Sequence, residues 1–267
     1  MMTSAIIPAR MGSSRFPGKP LAPLHGIPMI GHVYFRARLN RQLHGVYIAT
    51  CDEVIASYAA SIGAPCIMTS AAHVRASDRT AEAAAILEAA SGVRPEVVLM
   101  IQGDEPMLHP EMIDEALAPL ASDPSVPVAN LMAPLDADAA ADPNEIKVVV
   151  DRRGDALYFS RQPVPWHRRG AALELFKQVC VIPFRRAFLT TFAGLEPTPL
   201  EIVESIDMLR ALEHGYRVRM ARTAHVTCSV DTPADLGSVS SLMESDPVLR
   251  LYAEGVAPGA ALTQPSG

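Results

Sequence analysis

Short apolar runs and longer amphipathic segments alternate along the first part of the chain and predict a repeated strand–helix order. Four runs are typical of buried strands, namely residues 5–7, 46–50, 66–68 and 97–101. Spacing of apolar residues and end signals predict helices over residues 28–40, 52–62 and 78–90, the last with Ser77 as N-cap, and another from Pro110. Strands and helices that alternate in this way indicate βαβ units and a mostly parallel sheet.

The pattern changes after an Ala- and Asp-rich stretch at residues 136–143, which predicts an exposed linker. Residues 146–150 and 156–159 flank a polar turn and predict a hairpin, and residues 176–184 predict one further strand. We interpret this part as an antiparallel addition to the first sheet and not as a separate domain.

A helix is expected over residues 198–214, because Thr198 and Glu201 have the spacing of a capping box. A strand follows near residues 218–221. Glu201 is accounted for by the cap, whereas Glu204 on the same helix has no such local role and is the better candidate for a site.

The composition is that of a globular protein, with 267 residues of which 49% are hydrophobic. We expect one domain over residues 1–256 and a disordered tail at residues 257–267. The net charge of −6 argues against a general nucleic-acid-binding protein.

Since no run approaches the about 20 apolar residues of a membrane span and no leader pattern is present, we expect a cytoplasmic protein without a membrane partner. Wide spacing in apolar surroundings favours buried thiols over disulfides or a zinc site for Cys51, Cys66, Cys180 and Cys228.

A cationic loop with small residues follows the first strand. It spans residues 8–21, and its cations and small residues include Arg10, Gly12, Ser13, Arg15, Gly18 and Lys19. Glycines let backbone N–H groups approach an anion, and the cations add charge, so the loop is typical of a phosphate site between a strand and a helix. It matches neither the dinucleotide fingerprint nor the Walker loop. The alternative is a solvated basic loop.

An acidic pair, Asp104 and Glu105, directly follows the strand at residues 97–101. Ligands of open parallel sheets bind at the carboxyl ends of the strands, where a carboxylate facing a phosphate loop suits a magnesium ion. The alternative is a turn, or an N-cap for the helix at Pro110. For Asp231 the local pattern favours the cap of the last helix, a role that Thr232 would also fill.

Four short motifs follow one another along the chain. They are residues 7–10 with 19–21, residues 102–106, residues 147–149 with 156–161, and residues 230–233. In this combination the chain resembles the 3-deoxy-manno-octulosonate cytidylyltransferase (CMP-Kdo synthetase) family over roughly residues 4–243. The resemblance implies a three-layer α/β fold of nucleotide-diphospho-sugar transferase (Rossmann-like) type, with a mostly parallel mixed sheet. It also implies a homodimer and a Mg²⁺-dependent attack of an anionic acceptor on the α-phosphate of CTP, which releases pyrophosphate.

The resemblance assigns roles to individual residues. It implies catalytic roles for Arg10, Lys19, Asp104 and Asp231, the two aspartates as magnesium ligands. It implies nucleotide contacts from Ala9, Arg10, Gly12, Ser13, Arg15, Lys19, Arg75, Ser77, Arg79, Gln102 and Asp104. It implies an acceptor side made by Gln102, Arg161, Gln178, Ile182 and Glu204.

Two segments depart from the family pattern. The family has His-Ser-Gly-Thr-Asp/Glu-Arg where this chain reads Val-Arg-Ala-Ser-Asp-Arg over residues 74–79, with the added Arg75. Where the family has a histidine and a tyrosine at the acceptor, this chain has Gln178 and Ile182. Buried polar contacts discriminate strongly between substrates, so the acceptor is Kdo, a related sugar acid or, alternatively, a phosphonate. A non-catalytic nucleotide-binding homologue is the remaining interpretation.

Overall fold

A computed structural model describes residues 1–13, 15–166 and 174–253. Its strands are β1 (Thr3–Pro8), β2 (Pro23–Leu24), β3 (Ile27–Pro28), β4 (Leu43–Thr50), β5 (Cys66–Met68), β6 (Val97–Ile101), β7 (Val128–Leu135), β8 (Lys147–Val150), β9 (Ala156–Ser160), β10 (Leu175–Val179), β11 (Val181–Arg185) and β12 (Val218–Arg222). Its helices are α1 (Met29–Arg38), α2 (Glu53–Ser61), α3 (Ala76–Ser91), α4 (Pro110–Ser122), α5 (Arg186–Ala193), α6 (Pro199–Glu204), α7 (Met208–Glu213), α8 (Pro233–Met243) and α9 (Pro247–Ala253).

A mixed sheet of ten strands joins the two halves of the chain. Strands β5, β4, β1 and β6 are parallel neighbours, as the first part of the sequence predicts. Beyond β6 the order continues through β11, β7, β10, β8 and β9 with antiparallel pairs, and β12 runs parallel to β7. The predicted α/β fold with an antiparallel addition is confirmed, including the hairpin of β8 and β9.

Helices cover both faces of the sheet, which gives three layers. Alternate residues of β6 point to opposite faces, so Val97, Leu99 and Ile101 pack in one apolar cluster with α1, α2 and α4. Val98 and Met100 pack in the second cluster, with α3, α5 and α7. This burial on both faces explains why all five residues of β6 are apolar.

The predicted strand at residues 176–184 is wrong in one respect, because the structure has two strands that are separated at Cys180. The backbone of Cys180 bonds to the loop after β6: its carbonyl accepts from the Gln102 N–H at 3.0 Å, and its N–H donates to Glu105 Oε1 at 3.2 Å. The chain therefore exchanges β8 for β6 as a partner here, while β7 pairs with both β10 and β11.

The predicted helix at residues 198–214 is likewise two helices, α6 and α7. Ser205 has a left-handed backbone with φ of 56° and ends α6. Half of the expected capping box is present, since Glu201 accepts from the Thr198 N–H at 3.3 Å, while the Thr198 hydroxyl has no partner among the described residues. The helix α3 begins two residues earlier than predicted, with Arg75 and not Ser77 at the N-cap.

Strand β7 was not predicted at all, and part of the expected linker before β8 is a short 3₁₀ turn with Ala140 buried.

None of the described helices combines the length and the hydropathy that crossing a bilayer requires. All four cysteines are free and partly buried. The expected tail at residues 257–267 and the end of the expected domain lie outside the described residues. The domain limits and the cytoplasmic location stay predictions.

Candidate active site

Two adjoining clefts open at the carboxyl ends of β1 and β6. The first has a volume of about 520 Å³ and is lined by the predicted cationic loop, the start of α3 and the turn after β6. The second has a volume of about 310 Å³ and is lined mainly by residues of the antiparallel half. The two clefts share Arg10, Gln102, Asp104 and Asp231, which therefore lie where two bound molecules would meet.

The loop after β1 is held in place by the neighbouring parallel strands. The Ala9 N–H donates to the Ala49 carbonyl at 2.9 Å, and the Met11 N–H donates to Asp52 Oδ2 at 2.8 Å. Gly18 has a φ of 77°, which a residue with a side chain rarely adopts, and it precedes the 3₁₀ turn that begins with Lys19. Gly103 approaches the loop so closely that a Cβ there would lie 3.2 Å from the Pro8 carbonyl oxygen. Backbone groups of both loops thus reach one cleft.

Lys19 links the two predicted metal ligands. Its Nζ donates to Asp104 Oδ2 at 2.8 Å, to Asp231 Oδ1 at 3.2 Å and to the Val230 carbonyl at 2.7 Å. Burial opposes the ammonium, but the two carboxylates outweigh it and raise the pKa of Lys19. Arg15 also donates to Asp231, at 2.9 Å. Two carboxylates on separate loops therefore meet at one position, as the motifs suggested.

The cationic residues of the loop differ in whether other groups of the protein already bind them. Arg10 is exposed and, within the described ranges, has no hydrogen-bond or ion-pair partner. Arg15 donates to Asn144 as well as to Asp231, so its guanidinium crosses the mouth of the cleft. Arg10 is thus the cation that is most available to an incoming anion.

The residues predicted at the start of α3 separate into two groups. Arg75 lines both clefts and donates to Ser205 Oγ at 3.0 Å. Arg79 lines the first cleft from a buried position and donates to the Thr69 hydroxyl. Ser77 is fully buried, donates to Asp207 Oδ2 at 2.6 Å and does not line either cleft. Ala9, Gly12 and Ser13 all line the first cleft.

Four of the five predicted acceptor residues line the second cleft, namely Gln102, Arg161, Gln178 and Ile182. Glu204 lies behind them: its carboxylate accepts from the Ser160 hydroxyl and the Arg161 N–H, both at 2.8 Å, and from the Tyr158 hydroxyl at 3.3 Å. Burial opposes the carboxylate, but these donors outweigh it and lower the pKa of Glu204.

Local contacts decide between the alternatives that the sequence leaves open for the acidic residues. His109, and not the acidic pair, caps α4, and Thr232 caps α8 by accepting from the Asp235 N–H at 3.2 Å. Asp104 and Asp231 are therefore free of capping roles. Glu105 is buried, and burial together with the charge of Asp104 raises its pKa to about 8, although the Cys180 N–H opposes this shift.

The sequence analysis assigned no role to two buried polar residues beside the site. Lys147 is fully buried, and its Nζ donates to the carbonyls of Asp142, Glu145 and Arg161 at 2.5–2.9 Å. Asn130 is fully buried on β7 and accepts from the Gln178 amide at 2.6 Å. Each of these residues is a polar residue inside an apolar run, and this pattern could have identified them. A buried polar group is normally hydrogen-bonded, so such a residue indicates a buried contact.

The three-layer fold defines the chain as an α/β protein. The cationic loop and the paired carboxylates at the strand ends give its cleft the features that are typical of a phosphate site. Residues 4–220 match the model of a family described as cytidylyltransferase. The 3-deoxy-manno-octulosonate cytidylyltransferase of Syntrophotalea carbinolica is 43% identical over 251 residues, which cover 90% of this chain and 98% of that protein. The enzyme of the same name from Anaeromyxobacter sp. is 45% identical over 245 residues, covering 91% and 98%.

A solved structure described as CMP:2-keto-3-deoxy-manno-octonic acid synthetase complexed with CTP is similar to this chain throughout. Its TM-score is 0.83 at 38% identity, and the match covers 91% of this chain and 99% of that one. The chain belongs to the cytidylyltransferase family and is a nucleotidyltransferase. The resemblance to the 3-deoxy-manno-octulosonate cytidylyltransferases is thereby confirmed.

Proposed function

We propose that this enzyme transfers CMP from CTP to Kdo or a closely related sugar acid and releases pyrophosphate. The observation that carries the proposal is the junction of the two clefts at Arg10, Gln102, Asp104 and Asp231. A reaction between two bound substrates needs such a junction, because the attacking oxygen must lie in line with the bond that breaks. The names of the similar proteins support CTP as the nucleotide and a sugar acid as the acceptor.

Cations of the first cleft would hold the triphosphate. Arg10, Arg15 and Lys19 lie on one loop, and Arg75 and Arg79 face them from the start of α3. An acceptor oxygen attacks the α-phosphorus while the bond to pyrophosphate breaks, so negative charge is redistributed over phosphate oxygens. Fixed cations near those oxygens stabilise that arrangement, and no covalent nucleophile of the protein is needed.

We propose Mg²⁺ as the cofactor, held by Asp104 and Asp231. The donor set fits, because both groups are carboxylates, the hard oxygen ligands that Mg²⁺ prefers, and both reach the same cation, Lys19 Nζ. When bound, the ion would neutralise phosphate charge. Ion pairs with Lys19 and Arg15 orient the two carboxylates at the cleft.

The second cleft would bind the acceptor. Arg161 offers a charge for an acidic group, and its guanidinium is fixed by the carbonyls of Glu204 and Pro143 at 2.7 and 2.8 Å. The Gln178 side chain is engaged with Asn130, and Ile182 contributes an apolar wall. Because two family contacts are replaced, the acceptor test includes sugar acids and a simple phosphonate.

Pyrophosphate release tests the proposal. The full chain is mixed with CTP and Mg²⁺ and with Kdo, a second sugar acid, an alkylphosphonate or no acceptor. Turnover that requires Kdo or the other sugar acid supports the proposal. Turnover with the phosphonate alone overturns the acceptor assignment and favours the phosphonate alternative. CTP binding with no turnover on any acceptor favours the non-catalytic interpretation.

We also propose that the enzyme is a homodimer. Leu157, Trp166, Ile202 and Val203 are 61–83% exposed. They belong to β9, which ends the order of the sheet, to the segment just after it, and to α6, which is bonded to β9 through Glu204. Exposed apolar groups beside a sheet edge are typical of an interface between chains.

Light scattering checks the dimer. We expect the wild-type chain at twice its 28.6 kDa and Val203→Asp as a monomer. Val93→Asp is the matched control, since Val93 is 52% exposed but lies outside these elements. A monomeric wild-type protein, or a Val203→Asp variant that is as dimeric as the control, contradicts this interface.

A further inference from the structure

Two histidines and a glutamate meet outside both clefts. His109 directly precedes α4, Glu111 lies in the first turn of α4, and His225 lies in the loop after β12. One ligand atom from each of the three residues lies within 4.8 Å of the other two. None of them lines the first or second cleft, so the family reaction does not account for the cluster.

The spacing of these groups is close to that of a metal site. His225 Nε2 lies 3.3 Å from Glu111 Oε2. A tetrahedral ion with bonds of about 2.0–2.1 Å places its ligand atoms about 3.3 Å apart. The distance between His225 Nε2 and Glu111 Oε2 already has this value. The rings of His109 and His225 are stacked, with centroids 4.0 Å apart and planes 9° apart. A tilt of the two rings would bring their nitrogens onto one ion.

The remaining contacts of His109 are compatible with this tilt. Its Nδ1 accepts from the Glu111 N–H at 3.4 Å, which is long for a hydrogen bond. An ion bound at that nitrogen would therefore replace only a weak interaction.

A second observation comes from the next turn of α4. Glu115 Oε1 lies 3.9 Å from His225 Nε2, and the other oxygen, Oε2, is shielded from solvent without a hydrogen-bond partner among the described residues. A shielded carboxylate oxygen without a donor is costly. A cation at His225, or a water bound to that cation, would supply the missing partner.

We propose that His109, Glu111 and His225 bind a divalent transition-metal ion such as Zn²⁺, with Glu115 completing its surroundings. Imidazole and carboxylate together suit Zn²⁺ and its neighbours, whereas Mg²⁺ prefers oxygen ligands alone. The ion would join the start of α4 to the loop after β12. These two segments lead to Asp104 and Asp231, and the Val230 N–H already donates to the Asp104 carbonyl at 3.0 Å. The ion is thus a structural brace beside the active site.

Calorimetric titration of the untagged full chain with Zn²⁺, in excess Mg²⁺ to occupy oxygen-only sites, tests the proposal. We expect one saturable Zn²⁺ site per wild-type chain and binding weaker by about 100-fold or more in His225→Ala. At about 100 times the dissociation constant, Zn²⁺ is expected to raise the wild-type Tm by about 5–10 °C and to leave that of His225→Ala unchanged.

His214→Ala is the matched control, because His214 is an exposed histidine away from the cluster and its loss should leave Zn²⁺ binding unchanged. Glu111→Gln is a second variant, which keeps the size of the side chain and should also weaken binding. Equal Zn²⁺ affinity in the wild type, His225→Ala and Glu111→Gln overturns the proposal, as does a wild-type chain without a saturable site. Neither result bears on pyrophosphate release, so this test is independent of the proposed function.

Discussion

At the scale of single residues, Lys19 organises the charges of the active site. It touches both Asp104 and Asp231, and burial alone would disfavour its ammonium group. Charged hydrogen bonds in partly buried surroundings are stronger than those at the surface. The three side chains therefore hold one another in place before a substrate arrives, which reduces the reorganisation needed during the reaction.

Asp104→Asn and Asp231→Asn test the metal ligands. Each change keeps the shape of the side chain but removes a charged oxygen, so we expect pyrophosphate release to fall by about 100-fold or more. We also expect the Mg²⁺ concentration for half-maximal activity to rise, and both are measured with CTP and the preferred acceptor.

Asp138→Asn serves as the control, because Asp138 is exposed and outside both clefts. Near-normal turnover in both active-site variants, with an unchanged Mg²⁺ dependence, would show that these carboxylates do not bind the ion.

The predicted site residues lie close together, but the motifs did not describe their surroundings. Arg10, Lys19, Asp104 and Asp231 lie together as expected, because the carboxyl ends of adjacent parallel strands meet at one edge. Ser77 turns into the protein toward Asp207, since α3 begins two residues earlier than its sequence suggested. The positions of side chains at a helix start depend on that register, which a cap signal in the sequence leaves uncertain by a residue or two.

At the scale of elements, the interruption between α6 and α7 positions the acceptor side. Ser205 adopts a left-handed backbone there, and its hydroxyl accepts from Arg75. The end of α6 then presents Glu204 to β9, where its carboxylate receives three donors.

Glu204→Gln tests this role. The amide cannot accept from every present donor, so we expect a loss of about 1 kcal/mol in the free energy of unfolding. Because the backbone N–H of Arg161 would lose its charged acceptor, which holds this residue beside the second cleft, KM for the acceptor should rise more than KM for CTP. Chemical denaturation and steady-state kinetics measure the two effects.

Glu196→Gln is a matched control at an exposed position in the segment before α6. Equal KM values in Glu204→Gln and wild type would contradict a positioning role.

Most elements of the first half were predictable from a regular pattern, whereas β7 and the interruptions between elements of the second half were not. The four parallel strands and α1 to α4 were recognised from apolar periodicity and end signals. Strand β7 was missed, and the interruptions at Cys180 and Ser205 carry no glycine or proline to mark them. They arise from contacts with distant parts of the chain, such as the bonds of Cys180 to Gln102 and Glu105, which local sequence does not encode.

At the scale of the whole molecule, a buried hydrogen-bond chain joins α1 to the last helix. Arg36 Nε donates to the Tyr252 hydroxyl at 3.0 Å, and Tyr252 and the Leu24 carbonyl contact the two ring nitrogens of His32 at 2.6 and 2.7 Å. Burial lowers the pKa of His32 to about 4, and the charge of Arg36 adds to this effect. The ring is therefore neutral in the folded protein at physiological pH.

His32 should make the stability of the protein depend on pH. Between pH 6.5 and about 4 the unfolded chain protonates this histidine and the folded chain does not, so stability is lost as the pH falls. This group alone contributes a loss of about 3 kcal/mol over that interval. In His32→Asn the loss is absent, so the gap in unfolding free energy between wild type and variant should narrow toward pH 4.

Denaturant unfolding at several pH values measures this effect. His44→Asn, at an exposed position, is the control and should follow the wild type. A gap between wild type and His32→Asn that stays constant from pH 7 to pH 4 would contradict the buried neutral ring.

The two clefts come from different stretches of the chain. All five arginine and lysine residues that line the first cleft precede position 80, whereas most residues found only in the second lie between positions 144 and 208. With CTP in the first cleft and the acceptor in the second, as we propose, recombination within this family would alter one substrate and conserve the other. We expect a chimera that takes residues 144–208 from a relative to acquire the acceptor preference of that relative while it continues to use CTP. Exchange of this one segment would thus give an enzyme that activates a different sugar, without any change to the loop after the first strand.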